Sequence, residues 1–442
     1  MVESELFLGI DVGTTTLSLT LVSAKTGACV HSMTLLSNSA LPGDGGMQDA
    51  AHIAALATNA VSALLDAFPG VASIGVTGQM HGVVCLDKAG NAVSPLYTWQ
   101  SQLAGRAVCD EIRRKTGCVV YPGYGHATLY ALAQSGRLPD RAAQYCTIMD
   151  YVVMRLTGRK TPLIHSTNAA SLSLYGLKTG SFDRDALAAL ALPLDAPEVT
   201  TLSCLAGYHR GIPVSVAIGD NQASFFGSVP DEVHSLLLNY GTGSQLSFVC
   251  ASPDTPGGEI RPYLGGKYLL CRSALCGGRA YALLERFFAA FAAQAGFGSE
   301  AQYETLNALA AEAYRNEQKL RVSTQFCGTR ENPDIRGSIY DIGEDNFTPG
   351  ALTLGVLQGM VDELYMGFDA QAHPQLRCLV ASGNAVRKNP VLRTLLGDTF
   401  AMPLYLTAQK EEAALGAALF GGICAGALSL AQAKSAIRLE PA

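Results

Sequence analysis

One pattern occurs twice in this 442-residue chain, and it constrains the fold more than any other feature. Near the start, the apolar run Leu6-Phe7-Leu8-Gly9-Ile10 enters the turn Asp11-Val12-Gly13-Thr14-Thr15, and a polar/apolar alternation from Thr16 to Val22 follows. Near the middle, Leu236-Leu237-Leu238 enters Asn239-Tyr240-Gly241-Thr242-Gly243-Ser244, and Gln245-Leu246-Ser247-Phe248-Val249 follows. Asp11 aligns with Asn239, Gly13 with Gly241 and Thr14 with Thr242, each 228 residues apart. Strand, Gly/Thr turn, strand reads as a β-hairpin. A hairpin repeated at half-chain spacing predicts two domains of like topology, 1–229 and 230–442, divided where Gly-Ser-Val-Pro-Asp-Glu interrupts the pattern between Gly227 and Val233. Helical periodicity from Asp49 to Phe68 and a strand pattern from Val71 to Thr77 make the class α/β.

Composition removes several functions. Forty-eight per cent of residues are hydrophobic and 15% charged, enough apolar material for large cores and too little charge for a disordered chain. The net charge of −6 comes with no basic run, so no nucleic-acid partner is expected. Twelve scattered cysteines without a Cys-x-x-Cys pair read as small buried thiols in a reducing compartment. The acidic N-terminus, Met1 to Glu5, runs straight into a strand pattern, so no secretory address and a cytoplasmic location are expected. The uncharged stretch Ala413–Ala433 is long enough to cross a bilayer. Its Ala/Gly content reads instead as a buried helix, a turn at Gly421-Gly422 and a second helix, with no membrane association.

Short Gly/Thr turns expose backbone N–H groups and hydroxyls, a concavity suited to anionic oxygens. Alone, either turn is an ordinary sheet turn; two facing each other across a cleft would grip terminal phosphates from both sides. Asp11, at its strand end, stands where hydrated Mg²⁺ takes a carboxylate. Neither G-x-x-x-x-G-K-[ST] nor G-x-G-x-x-G occurs. The strand pattern Val214–Ile218 ends in Gly219-Asp220, and Asn221-Gln222 leads into a helix pattern. A carboxylate there sits where α/β sheets place ligand crevices, beside a helix N-terminus. Asp220 is the candidate base for a phosphoryl-transfer reaction; its other reading is a helix N-cap. Gln79-Met80-His81 between Gly78 and Gly82, with Trp99 (the only tryptophan) shortly after, reads as a polyol pocket. Gly383-Asn384 through Asn389-Pro390 follows a strand pattern and reads equally as an adenosine cradle or a plain turn.

Taken together, these segments resemble the FGGY family of carbohydrate kinases, within the actin/hexokinase/Hsp70-like ATPase superfamily, over essentially the whole chain and in the family's order. Gly9–Thr14 looks like its first phosphate hairpin, Gly78–Gly82 its ketose-binding segment and Gly219–Gln222 its catalytic aspartate motif. Tyr240–Ser244 is similar to its second phosphate hairpin, and Gly383–Pro390 to its adenosine loop. The resemblance implies two ribonuclease H-like domains flanking a catalytic cleft, with Asp220 catalytic. ATP and Mg²⁺ are the implied cofactors. ATP would be held by Asp11, Gly13, Thr14, Thr15, Gly241, Thr242, Gly243, Ser244, Gly383, Asn384 and Asn389, with Asp11 on Mg²⁺ through water. Gln79, Met80, His81, Trp99, Asp220 and Asn221 would bind a ketose substrate. A homodimer is a family-based expectation.

Gln-Met-His is shared by the xylulokinase and sedoheptulokinase branches. Thr98–Gln100, Gly123–Thr128, Met149–Val153 and Ser166–Ser171 favour the latter, so phosphorylation of the terminal hydroxyl of sedoheptulose is expected, with xylulose the runner-up. A non-kinase ATPase or sugar-binding member is the other alternative. Where those relatives carry Asp and then Arg two positions later, this chain has Ser101 and Leu103; Arg106 is the nearest replacement.

Overall fold

The computed structural model describes residues 5–43, 46–298, 300–318, 320–329 and 332–442. The N-terminal segment read above therefore lies outside the described residues up to Ser4, as does Gly45.

Each copy of the repeated hairpin sits inside a seven-stranded mixed sheet. In the first, strand Leu6–Val12 pairs antiparallel with Thr16–Ser23, which pairs antiparallel with Cys29–Leu36. On its other edge Leu6–Val12 runs parallel to Val71–Gly78, which is followed by Ile212–Ser215 and the short Ile218–Gly219, both also parallel. In the second, Ser235–Tyr240 pairs antiparallel with Ser244–Cys250, which pairs antiparallel with Tyr268–Ala274. Its other edge runs parallel to Cys378–Ser382 and then Leu404–Thr407. The two sheets thus share one order and one set of directions, as the sequence repeat predicts. Leu6–Ile10 are buried, in the middle of the sheet and within the first lobe's core.

Helix Ala50–Ala67 begins where expected: the Asp49 carboxylate caps it, accepting from the His52 amide at 2.9 Å. Its apolar stripe, Ile53, Ala57, Val61 and Leu64, joins the first core. It is the one helix among the described residues long and apolar enough to cross a membrane, and that stripe is packed on protein.

The uncharged C-terminal stretch folds differently from expectation. Gly421 and Gly422 lie inside one helix, Glu412–Cys424, and the turn comes later, before helix Leu430–Ala436. The glycines serve close packing. This helix crosses back to the first sheet and lies on Leu6–Val12 and Val71–Gly78. A Cβ on Gly9 would stand 1.8 Å from the Ala414 carbonyl oxygen, and one on Gly75 1.8 Å from that of Ala417. Gly416 meets helix Asp220–Ser228 the same way, 1.9 Å from the Ala223 oxygen. The helix following strand Leu404–Thr407 of the second sheet is therefore part of the first lobe's core.

Candidate active site

Strands Leu6–Val12, Val71–Gly78 and Ile218–Gly219 run parallel, so their C-terminal ends meet. Asp11 pairs in register with Thr77, and Gly78 with Gly219. The Thr77 hydroxyl donates to the Ile218 carbonyl at 2.8 Å, and the Gly219 amide donates to the Thr167 hydroxyl at 3.1 Å. These ties fix the chain entering helix Asp220–Ser228. Gly219, not Asp220, is the N-cap; Asp220 is the first helical residue, with its carboxylate accepting from the Asn221 amide at 2.7 Å. The capping reading of Asp220 is thus excluded. The helix end favours the carboxylate anion.

Asp220 and Asp11 are both partly exposed, yet protein crowds both; Asp220 lines the cavity described below, whereas Asp11 and the first turn, Gly13–Thr15, do not. Burial pushes the Asp11 carboxyl up to about 7, helped by the charges of Asp220 and Glu411. Burial raises Asp220 to about 6, held back by its own helix amides and by the Arg261 guanidinium. Glu411, at the N-cap of helix Glu412–Cys424, is a third acid that sequence reasoning missed: its charge reaches Asp11, although it lines a separate hollow with Thr20 and Cys29. Its signal is tertiary, because that helix returns from the other lobe.

The second turn faces Asp220. Gly241, Thr242, Gly243 and Ser244 line one cavity of about 850 Å³ together with Asp220, Asn221, Met80, His81, Trp99 and Arg279. The turn is braced by the next helix: the Gly278 amide donates to the Gly241 carbonyl at 2.9 Å, and the Arg279 amide to that of Thr242 at 3.0 Å. Gly277 must lack a side chain, since a Cβ would lie 2.5 Å from the Gly243 oxygen. Gly383, at φ 98°, passes under Tyr240 and opens the short helix Asn384–Lys388 with Asn384 exposed. Asn389 is buried and acts as a helix cap, its side-chain Oδ1 accepting from the Leu392 amide at 3.0 Å and its side-chain Nδ2 donating to Asn307 Oδ1 at 2.9 Å.

Gln79 is placed differently from expectation. Its buried amide is committed to the first turn, not to the sugar pocket. Thr14 donates to its oxygen at 3.2 Å, while its nitrogen donates to Gln48 at 2.8 Å and to the Gly13 carbonyl at 3.4 Å. The Trp99 indole N–H also donates to the Thr14 hydroxyl, at 3.1 Å. Thr14 is thereby preset, with Thr15 exposed beside it.

His81 does face the pocket. At φ 73° it holds a left-handed backbone, its Nδ1 meets the Ser171 carbonyl at 2.9 Å, and its ring stacks on Tyr124 at 4.4 Å. With Met80 it borders both the main cavity and a second one of about 300 Å³ lined by Tyr124, Ser171, Tyr175, Glu259 and Arg261. Helix Ser166–Ser171 therefore supports Asp220 through Thr167 and His81 through Ser171. Buried Asp150 anchors that helix through Asn168, whose amide also donates to the Ala217 carbonyl at 3.1 Å. Ser101 is buried, Leu103 packs into a satellite core, and exposed Arg106 lines neither cavity. A separate hollow of about 720 Å³, walled by Cys250, Lys267 and His373, contains none of the expected residues.

Comparison with known proteins identifies the family. Residues 6–227 match the N-terminal domain of the FGGY family of carbohydrate kinases and residues 236–425 its C-terminal domain. A sedoheptulokinase of Mus musculus is 27% identical, covering 95% of this chain and 98% of its own. A glycerol kinase of Trichlorobacter lovleyi is 28% identical over 80% of this chain and 76% of its own. A xylulose kinase structure from Rhodospirillum rubrum superposes with a TM-score of 0.84 at 21% identity, covering 99% of this chain and 93% of its own. The chain belongs to the FGGY family of carbohydrate kinases: it is a sugar kinase with an alcohol acceptor, and the family implies ATP as donor.

Proposed function

Taking that membership as premise, we propose that this kinase phosphorylates the terminal primary hydroxyl of a long-chain ketose, with sedoheptulose the leading substrate. The observation that carries the reading is a pair of neighbouring cavities that share Met80, His81 and Arg261 as walls. The main one brings Asp220 against the Gly241–Ser244 turn, and the second extends beyond Met80 and His81, giving a linear polyol room past the reacting end.

The acceptor hydroxyl lies against Asp220, which takes its proton as the oxygen attacks the γ-phosphorus. The bond from that phosphorus to the β,γ-bridging oxygen breaks, and ADP leaves. A base near pH 6 is well matched to this task at neutral pH. Backbone amides of Gly13–Thr15 and Gly241–Ser244 hold the phosphoryl oxygens, and Gly383-Asn384 the nucleoside. Mg²⁺ suits Asp11 and Asp220: two crowded carboxyls, both raised by burial, gain most from a divalent cation that also takes phosphate oxygens and water. Asp11 would hold it, and the ion would neutralise charge on the β- and γ-phosphates. Closure of the lobes excludes water, the competing nucleophile.

The test is a panel of sedoheptulose, fructose, xylulose, ribulose and glycerol, assayed for ADP release. Preference for the seven-carbon ketose supports the reading. A kcat/KM maximum at xylulose makes the enzyme a xylulokinase, and a maximum at glycerol refutes long-chain specificity.

A further inference from the structure

The wall of the second cavity opposite His81 comes from the other lobe. Strand Glu259–Pro262 is the edge of the second sheet. It is stapled to the first lobe: the Gln222 amide donates to the Pro262 carbonyl at 3.0 Å, and Phe225 meets Tyr263 edge-on at 5.5 Å. Residues two apart on a strand share a face, so Glu259 and Arg261 present together to the cavity that both line. Arg261 is 4% exposed and grips the Glu259 carboxylate with two parallel bonds, Nε to Oε1 at 3.0 Å and Nη2 to Oε2 at 2.8 Å. This side-on fork fixes the plane of a carboxylate that is itself 42% exposed. The remaining arginine nitrogen, Nη1, is buried without a protein hydrogen-bond partner. Arg261 also borders the main cavity and its charge reaches Asp220.

We infer that Glu259, oriented by Arg261, determines acceptor specificity by receiving hydroxyls of the sugar at the end remote from Asp220. The inference rests on the long-chain ketose reading above. The accessible part of the pair is the Glu259 carboxylate, Arg261 being buried, so the wall accepts from the hydroxyls of neutral polyols and repels sugar acids. It also places an acid and an arginine at the cavity where Ser101 and Leu103 supply neither.

The experiment compares wild type with Glu259→Gln on sedoheptulose, xylulose, glycerol and gluconate, measuring KM for each acceptor and for ATP. Hydrogen bonds to charged groups are worth enough that the sedoheptulose KM should rise roughly tenfold or more. The rise should shrink with acceptor length, exceed any change in the ATP KM, and come with improved kcat/KM for gluconate relative to sedoheptulose. Arg261→Lys, which keeps the charge but loses the fork, should raise the sedoheptulose KM without helping gluconate. Equal effects on all acceptors, or on acceptor and ATP alike, would overturn the assignment while leaving the kinase reading intact. Wild type showing no preference for longer ketoses would remove both.

Discussion

Replacing Asp220 by Asn separates chemistry from stability. The Asp220 carboxyl titrates near 6 in the folded protein against an ordinary 3.8, with burial the leading cause. A group raised in this way costs the folded state nothing below about pH 4, where both states are protonated. The cost grows as pH rises from about 4 to 6 and is complete above that. A difference of that size is worth at most about 3 kcal/mol, and neighbouring Asp11, relieved of a repelling charge, adds in the same direction. Asp220→Asn should therefore leave melting at pH 4 nearly unchanged and stabilise the nucleotide-free protein at pH 8 by about 2 kcal/mol. For a lobe of this size that is ~4–8 °C in Tm. The same variant should lose ~10²–10⁴-fold in kcat, the usual cost of a missing general base, with the ATP KM little changed. Thermal melts at both pH values and steady-state kinetics read the two effects. A variant no more stable at pH 8 than wild type would refute the electrostatic account of these two carboxyls, and retained turnover would refute the role of Asp220 as base.

Gln79→Ala should raise the ATP KM more than the sugar KM, because its amide positions Thr14 and Gly13; the two KM values measured side by side decide it. His81→Ala should do the reverse, raising the sugar KM by about tenfold through loss of a pocket wall stacked on Tyr124. Gly75→Ala should destabilise the first lobe by about 1–3 kcal/mol or more, since the new methyl group would collide with the Ala417 carbonyl and push helix Glu412–Cys424 off the sheet; urea unfolding measures it.

Legibility followed the range of the interactions. Strand Leu6–Val12, helix Ala50–Ala67 and the two Gly/Thr turns are written in local periodicity and local turn chemistry, and the 228-residue repeat made two domains of like topology readable without coordinates. Asp220 was also visible, because an acid between an apolar strand and a helix has few other places to go. Gln79 was not. Its neighbours in sequence mark a ligand pocket, but its partners Thr14 and Gln48 are 65 and 31 residues away, and nothing local tells an amide which side of the strand end will need it. Gly421-Gly422 failed for a related reason: a glycine pair reads as a turn until a strand is known to press against the helix that holds it.

What the chain alone determined is a doubled lobe with a Gly/Thr turn in each half, since backbone geometry at glycine and threonine depends on the residues themselves. What only the tertiary structure decided is which distant residues meet: Glu411 near Asp11, helix Glu412–Cys424 on the first sheet, and Glu259 with Arg261 lining one cavity with His81. Those meetings depend on how two sheets 200 residues apart in the chain pack together, and side-chain chemistry at one position carries no record of the surface that packing will bring against it.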